Sequence, residues 1–145
     1  MRLWHHKLIP VLPRQQLLGQ HREVCALRGL GWGRKHSTVD YVFLHSWEHL
    51  YHYHILVMDE MKARGYSPNP KWADYYYRGK RCDPLVPEWV SRSRSDPLYP
   101  EHDHYNLIGC AGLLRGRIRK RPDRYTDQDK YRLSAWLSEN NFQLL

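Results

Sequence analysis

The chain has 145 residues and a formal net charge of +8, from 23 Lys and Arg against 15 Asp and Glu. This length suits one domain over residues 1–145, and the basic excess favours a polyanionic partner. Hydrophobic residues make up 41% and the mean hydropathy is −0.78, which argues against both disorder and a membrane span. Three widely spaced cysteines and the lack of a signal-peptide pattern predict a cytoplasmic protein with reduced thiols.

Helix start and stop signals predict two long helices in the first half of the chain. The first runs over 13–28 and is stopped by Gly29, and the second runs over 46–64 with Gly65 beyond it. Helical spacing turns one side of the first helix inward, apart from Arg28 at its end. That inward side carries Leu17, Leu18, His21, Val24 and Cys25. The outward side carries Gln15, Gln16, Gly19, Arg22, Glu23 and Ala26, and Gly19 there predicts a close approach to the backbone.

The second half predicts a long irregular loop followed by two more helices. Prolines punctuate residues 65–100, and apolar spacing then indicates a third helix over 101–119 with Leu107, Ile108, Ala111, Leu114 and Ile118 on one side. A capping box that begins at Thr126 opens a short C-terminal helix. No segment alternates as a strand does, so we expect an all-α fold of three main helices plus a short C-terminal helix.

Two basic segments, 31–36 and 115–124, combine cations with flexible residues, as surfaces that follow a phosphate backbone do. A loop segment, 72–81, interleaves aromatic rings with cations. This loop either stacks on bases or docks its tyrosines onto the core. Ten histidines raise the alternative of a metal site, but there is no HExxH and no zinc-type Cys pair, so packing or surface histidines are the simpler interpretation.

Residues 14–28, RQQLLGQHREVCALR, resemble the first helix of the phage endonuclease V type of pyrimidine-dimer DNA glycosylase and AP lyase. The Arg22-Glu23 pair lies at the matching distance from the chain start. Segments 34–36, 61–66 and 118–122 are also similar to that family, and the opening MRLWH with residues 18–36 is similar to a bacterial branch of it. The resemblance covers most of 1–66 and 100–122, whereas the 67–99 loop is longer.

The resemblance implies that the α-amine of the first residue displaces a damaged base, forms a Schiff base on the opened sugar, and cuts the strand by β-elimination. Met1 is then the expected nucleophile, because Arg2 is too large for removal of the initiator Met, although another group remains an alternative. Glu23 takes the place of the family's acid–base glutamate, and Arg22 that of an arginine gripping phosphate near the lesion. No metal or organic cofactor is implied.

The implied partner is damaged double-stranded DNA, bound by a monomer in a bacterial or phage-infected cell, with cyclobutane dimers as the expected lesion. Further DNA contacts are expected at Arg2, Gln15, Gln16, Arg28, Arg34, Lys35, His36, Arg117 and Arg121. Two alternatives stay open: a nucleic-acid-binding module that has lost catalysis, and a metal-dependent nuclease built on the histidines.

Overall fold

The computed structural model describes residues 2–34, 39–86 and 98–142, and all four expected helices lie within these ranges. They are α1 (Arg14–Arg28), α2 (Trp47–Ala63), α3 (His104–Lys120) and α4 (Asp127–Glu139). Within the same ranges there is no strand, and the all-α fold class is confirmed. None of the described helices is long and apolar enough to cross a membrane. The assignment of residues 1–145 to one domain stays a prediction.

The sequence signals for helix ends act largely as expected. Gly29 is the C-cap of α1 and Ser46 the N-cap of α2. Gly65, just past α2, has φ = +90°, which a residue with a Cβ adopts only under strain. Thr126 caps α4 in a complete capping box. The third helix begins later than expected, because the Asp103 side chain caps it by accepting a hydrogen bond from an amide of the first turn.

The N-terminal segment is part of the core rather than an appendage. Its Leu3, Trp4, Leu8 and Leu12 are all buried, the last two within or beside a 3₁₀ turn at His6–Val11. This segment packs against α2, α3 and α4, while α1 packs on α2. Further 3₁₀ turns occur at Asp40–Leu44, Pro70–Ala73 and Pro122–Arg124. Residues 2–12 are therefore held among the helices, with the backbone of Arg2 and Trp4 beside α1.

The inward side of α1 differs from the expected one. Leu17 and Val24 are buried as predicted, but Leu18, His21 and Cys25 are only half-buried. The prediction of Gln16 outside is wrong, since only 8% of it is exposed. Arg28 is also buried, at 0% exposed, contrary to expectation. The polar residues enter because other parts of the chain supply hydrogen-bond partners there, which helical spacing alone does not reveal.

Candidate active site

The start of the described chain lies against Glu23 of α1. The backbone N–H of Arg2 donates a hydrogen bond to Glu23 Oε2 across 3.3 Å. Glu23 is half-buried, while its neighbour Arg22 is exposed. Met1 is outside the described residues. The described residue next to Met1 is Arg2, and its backbone amide is within hydrogen-bond distance of Glu23, the carboxylate that the family resemblance selects.

Gln20, one turn before Glu23, ties three parts of the site together. Its Nε2 donates to Arg2 O at 2.8 Å and to Glu23 Oε2 at 3.3 Å, and its Oε1 accepts from Trp4 N at 2.8 Å. The hydroxyl of Tyr53, on α2, lies 2.7 Å from the same Oε1 and 2.6 Å from Trp4 O. Both Gln20 and Tyr53 are almost completely buried.

Sequence reasoning missed Gln20 and Tyr53, although one signal for Gln20 was available. Leu17 and Val24 stand three residues before it and four after it, and both are buried. The helical period therefore places Gln20 on the inward face, where a carboxamide requires hydrogen-bond partners. Tyr53 offered no comparable signal, because its partners are distant in the sequence.

Two cations flank the indole of Trp4, next to the chain start. The guanidinium of Arg2 lies 5.5 Å from the ring centroid and that of Arg117 lies 5.2 Å away. Arg117 comes from the last turn of α3. Such contacts bring positive charge from two elements to one place. The structure thus brings two of the expected DNA-contact residues together at Trp4, and the backbone N–H of one of them, Arg2, contacts Glu23.

A cationic cleft of about 380 Å³ lies between α1 and the end of α3. Its lining consists of Gln15, Gln16, Arg117, Lys120, Arg121, Arg124 and Tyr125. Gln15 Nε2 donates to Arg124 O and Gln16 Nε2 to Tyr125 Oη, each across 3.1 Å. Arg121 pairs with Asp123 at 3.2 Å, in a well exposed bridge that is worth little and gives way readily. The cleft contains four of the expected DNA-binding residues, and adds Lys120 and Arg124.

The expected phosphate contact at Arg28 is wrong, because its guanidinium is buried and donates its hydrogen bonds to other groups of the protein. It donates to the backbone oxygens of Trp72, Asp74 and Tyr77 at 2.7, 2.8 and 3.1 Å, and to His54 Nδ1 at 2.9 Å. Arg28 thereby anchors the 72–77 loop to the end of α1.

The other expected positions differ in their surroundings. Arg34 is exposed and remains accessible to a phosphate. Lys35 and His36 lie outside the described residues. At Gly19, an added Cβ would meet only the Arg22 side chain, at an ordinary 3.8 Å. The close approach that was expected there does not occur among the residues that the structure describes.

The aromatic loop at 72–81 docks onto the protein. Tyr75 is 6% exposed and its carbonyl accepts from the Trp47 indole at 2.9 Å. The Trp72 ring lies 5.0 Å from the guanidinium carbon of Arg28. Lys80 and Arg81 stay exposed. Of the two interpretations of this loop, the structure supports the docked one.

Among the residues that the structure describes, the histidines raise the question of metal binding at one place, where His21, Cys25 and His54 have their ligand atoms within 4.8 Å of one another. The Arg28 guanidinium can only donate hydrogen bonds, so His54 Nδ1 accepts one from it and the ring proton of His54 lies on Nε2. This Nε2–H donates a hydrogen bond to His21 Nδ1 at 2.8 Å. Binding a metal at His54 Nε2 would require loss of that proton beside a buried cation. Burial also raises the pKa of Cys25 to about 12, which keeps the thiol protonated. The group is better described as a hydrogen-bonded network.

A family model described as pyrimidine dimer DNA glycosylase matches residues 1–74. The match includes α1, α2, the Gln20 network and Glu23, and ends inside the docked loop. Searches of curated proteins and of solved structures found no significant match. The family model covers just over half of the 145 residues. Its description agrees with the resemblance that the residues of the first helix indicate. The chain belongs to the pyrimidine dimer DNA glycosylase family.

Proposed function

We propose that this protein is a monomeric DNA glycosylase with abasic-site lyase activity, which acts on cyclobutane pyrimidine dimers in double-stranded DNA. In this proposal the nucleophile is the α-amine of Met1 and the acid–base group is Glu23. The observation that carries the proposal is the 3.3 Å contact between Arg2 N and Glu23 Oε2. A backbone amide of residue 2 that contacts a helix-borne carboxylate supports terminal-amine chemistry at the residue before it.

An α-amine suits imine formation better than a lysine does at neutral pH. With ordinary pKa values of ~7.7 and ~10.4, the α-amine is in the neutral, nucleophilic form roughly 400-fold more often at pH 7. Neither attack on the sugar nor the later proton transfers require a metal or an organic cofactor. The partly buried carboxylate supplies the proton carrier that the reaction needs.

The proposed steps balance in atoms and electrons. The amine nitrogen attacks C1′ of the deoxyribose, and the departing base takes the electron pair of the broken C1′–N bond and a proton from water. Glu23 accepts the proton that the amine nitrogen loses. A proton passed from Glu23 to O4′ accompanies cleavage of the C1′–O4′ bond and leaves an iminium. The Glu23 carboxylate then removes a C2′ proton, the C3′–O bond breaks with its electron pair on the oxygen, and the downstream strand leaves with a 5′-phosphate. Water hydrolyses the imine and regenerates the amine.

We further propose that the cationic cleft and the exposed Arg22 grip the DNA backbone on either side of the reacting sugar. Arg2 and Arg117 already converge on Trp4 beside the site. Arg34 extends this basic surface past the end of α1, and Lys35 and His36 remain proposed contacts of the same segment. Extruding a nucleotide from the stack costs least where a lesion has weakened stacking, which favours damaged over intact duplex.

Strand cleavage of a duplex with one cyclobutane dimer, in the presence of a metal chelator, tests this function. We expect the wild type to cleave, and Glu23→Gln to bind the same duplex but cleave at least ~100-fold more slowly. A protein that binds without cleaving would favour the non-catalytic binding module. Cleavage that stops with chelator would instead favour the metal-dependent nuclease.

A further inference from the structure

The Gln20 carboxamide uses all of its hydrogen-bonding capacity at the junction between the chain start and Glu23. Its two N–H groups face Arg2 O and Glu23 Oε2, and its oxygen accepts from Trp4 N and lies 2.7 Å from the Tyr53 hydroxyl. A flipped amide would set its NH₂ against the Trp4 N–H and its oxygen against the Arg2 carbonyl. The orientation of the side chain is therefore determined by its surroundings.

We propose that Gln20 is a positioning residue that sets the distance between the terminal amine and Glu23, and that Tyr53 holds Gln20 in that role. Neither side chain reaches the DNA: Gln20 is 1% exposed and Tyr53 is 0% exposed. Gln20 acts through backbone atoms of Arg2 and Trp4 and through the Glu23 carboxylate, whereas Tyr53 acts through the Trp4 carbonyl and through Gln20. The inference rests on the proposed function, because this role of Gln20 exists only if the terminal amine is the nucleophile.

The contacts of Gln20 and Tyr53 explain why these side chains affect the positions of the reacting groups as well as the packing of the core. Gln20 contacts the backbone of both Arg2 and Trp4, and it also contacts Glu23, which lies one turn further along α1. The Tyr53 hydroxyl has one proton for two acceptors, Trp4 O at 2.6 Å and Gln20 Oε1 at 2.7 Å, so it links the segment and the carboxamide to α2. Movement of a reacting group by about 1 Å costs up to ~100-fold in rate.

The chain offers a matched control on the same helix. Tyr51 also donates its hydroxyl to a backbone carbonyl, that of Ala73, across 2.8 Å, but on the side of α2 that faces the docked loop. Tyr51→Phe and Tyr53→Phe therefore each remove one oxygen and one hydrogen bond to the backbone. Gln20→Met keeps the length of the side chain and removes its polar groups.

The test is single-turnover borohydride trapping of a duplex with an abasic site, at saturating DNA and at a temperature where each variant is folded. We expect the trapping rate constant to fall about 3- to 10-fold in Tyr53→Phe and about 10- to 100-fold in Gln20→Met, with Tyr51→Phe within twofold of wild type. The Kd for a duplex carrying an unreactive abasic analogue should stay within about twofold in all three. Amide hydrogen exchange at Trp4 should be faster in Tyr53→Phe than in Tyr51→Phe.

Three outcomes are decisive. Wild-type protein that traps no abasic DNA would overturn the proposed function. Wild-type trapping with undiminished rates in Tyr53→Phe and Gln20→Met would overturn this inference alone, as would a loss confined to the Kd. If Gln20→Met does not fold, the comparison of Tyr53→Phe with Tyr51→Phe decides by itself.

Discussion

Replacement of Arg28 by methionine should destabilise the protein without weakening its grip on DNA. The guanidinium donates four hydrogen bonds inside the protein, three of them to carbonyls of the 72–77 loop. A bond from a charged donor contributes about 1.5–3 kcal/mol, but the loop carbonyls of the variant can regain water. Removal of the guanidinium leaves only neutral acceptors and no unpaired charge, so we expect the free energy of unfolding to fall by about 1.5–3 kcal/mol, the loss of one such bond that water does not replace.

Urea unfolding followed by tryptophan fluorescence measures this loss, and the salt dependence of DNA affinity tests the second half of the prediction. The slope of log K against log salt should match that of the wild type in Arg28→Met. In Arg34→Ala, whose side chain is exposed, the slope should become shallower by about 0.9 with unchanged stability. Unaltered stability in Arg28→Met together with a shallower slope would refute the account of Arg28 as an internal anchor.

Three further predictions follow from burial, charge and backbone geometry. Burial beside other imidazoles lowers the pKa of His5 to about 4 and of His102 to about 3, so the folded state favours the neutral rings. Stability is then fully present above about pH 6.5 and falls as pH decreases towards 4, by about 1–2 kcal/mol per histidine between pH 7 and 5, and unchanged urea midpoints over that interval would contradict this. Arg117→Ala should lower the salt slope of DNA binding by about 0.9, and an unaltered slope would remove it from the DNA-contacting surface. Gly65→Ala, at φ = +90°, should cost about 1–2 kcal/mol in thermal unfolding, whereas Gly112→Ala, on a helix with open space around it, should be neutral or stabilising.

The sequence predicted the helices well because their ends carry local signals. Gly29, Gly65 and the Thr126 capping box each act through atoms within a few residues, and Ser46 occupies the N-cap position of α2 without a capping hydrogen bond from its side chain. Glu23 is a different case, because only the resemblance to the glycosylase family selects it among the polar residues of α1, and its catalytic role stays a proposal. The predicted α3 begins at residue 101, earlier than the observed His104, because apolar spacing does not reveal that Asp103 is the N-cap.

The buried polar residues could not be predicted in the same way. An arginine at the end of a helix, such as Arg28, normally faces water. No neighbouring residue in the sequence indicates that the carbonyls of residues 72–77 accept its hydrogen bonds. Gln20 depends on Tyr53, 33 residues away, and on the return of residues 2–4 to α1. These interactions exist only after the chain has folded, and helical periodicity reports burial without naming partners.

Mapping the covalent adduct tests the central claim most directly. Wild-type protein is reduced with borohydride on a duplex that carries an abasic site, digested, and sequenced by mass spectrometry. The account predicts the sugar remnant on the α-amine of Met1, and strong loss of that adduct in Glu23→Gln. An adduct on a lysine side chain, such as Lys120 in the cationic cleft, or no adduct at all, would contradict it.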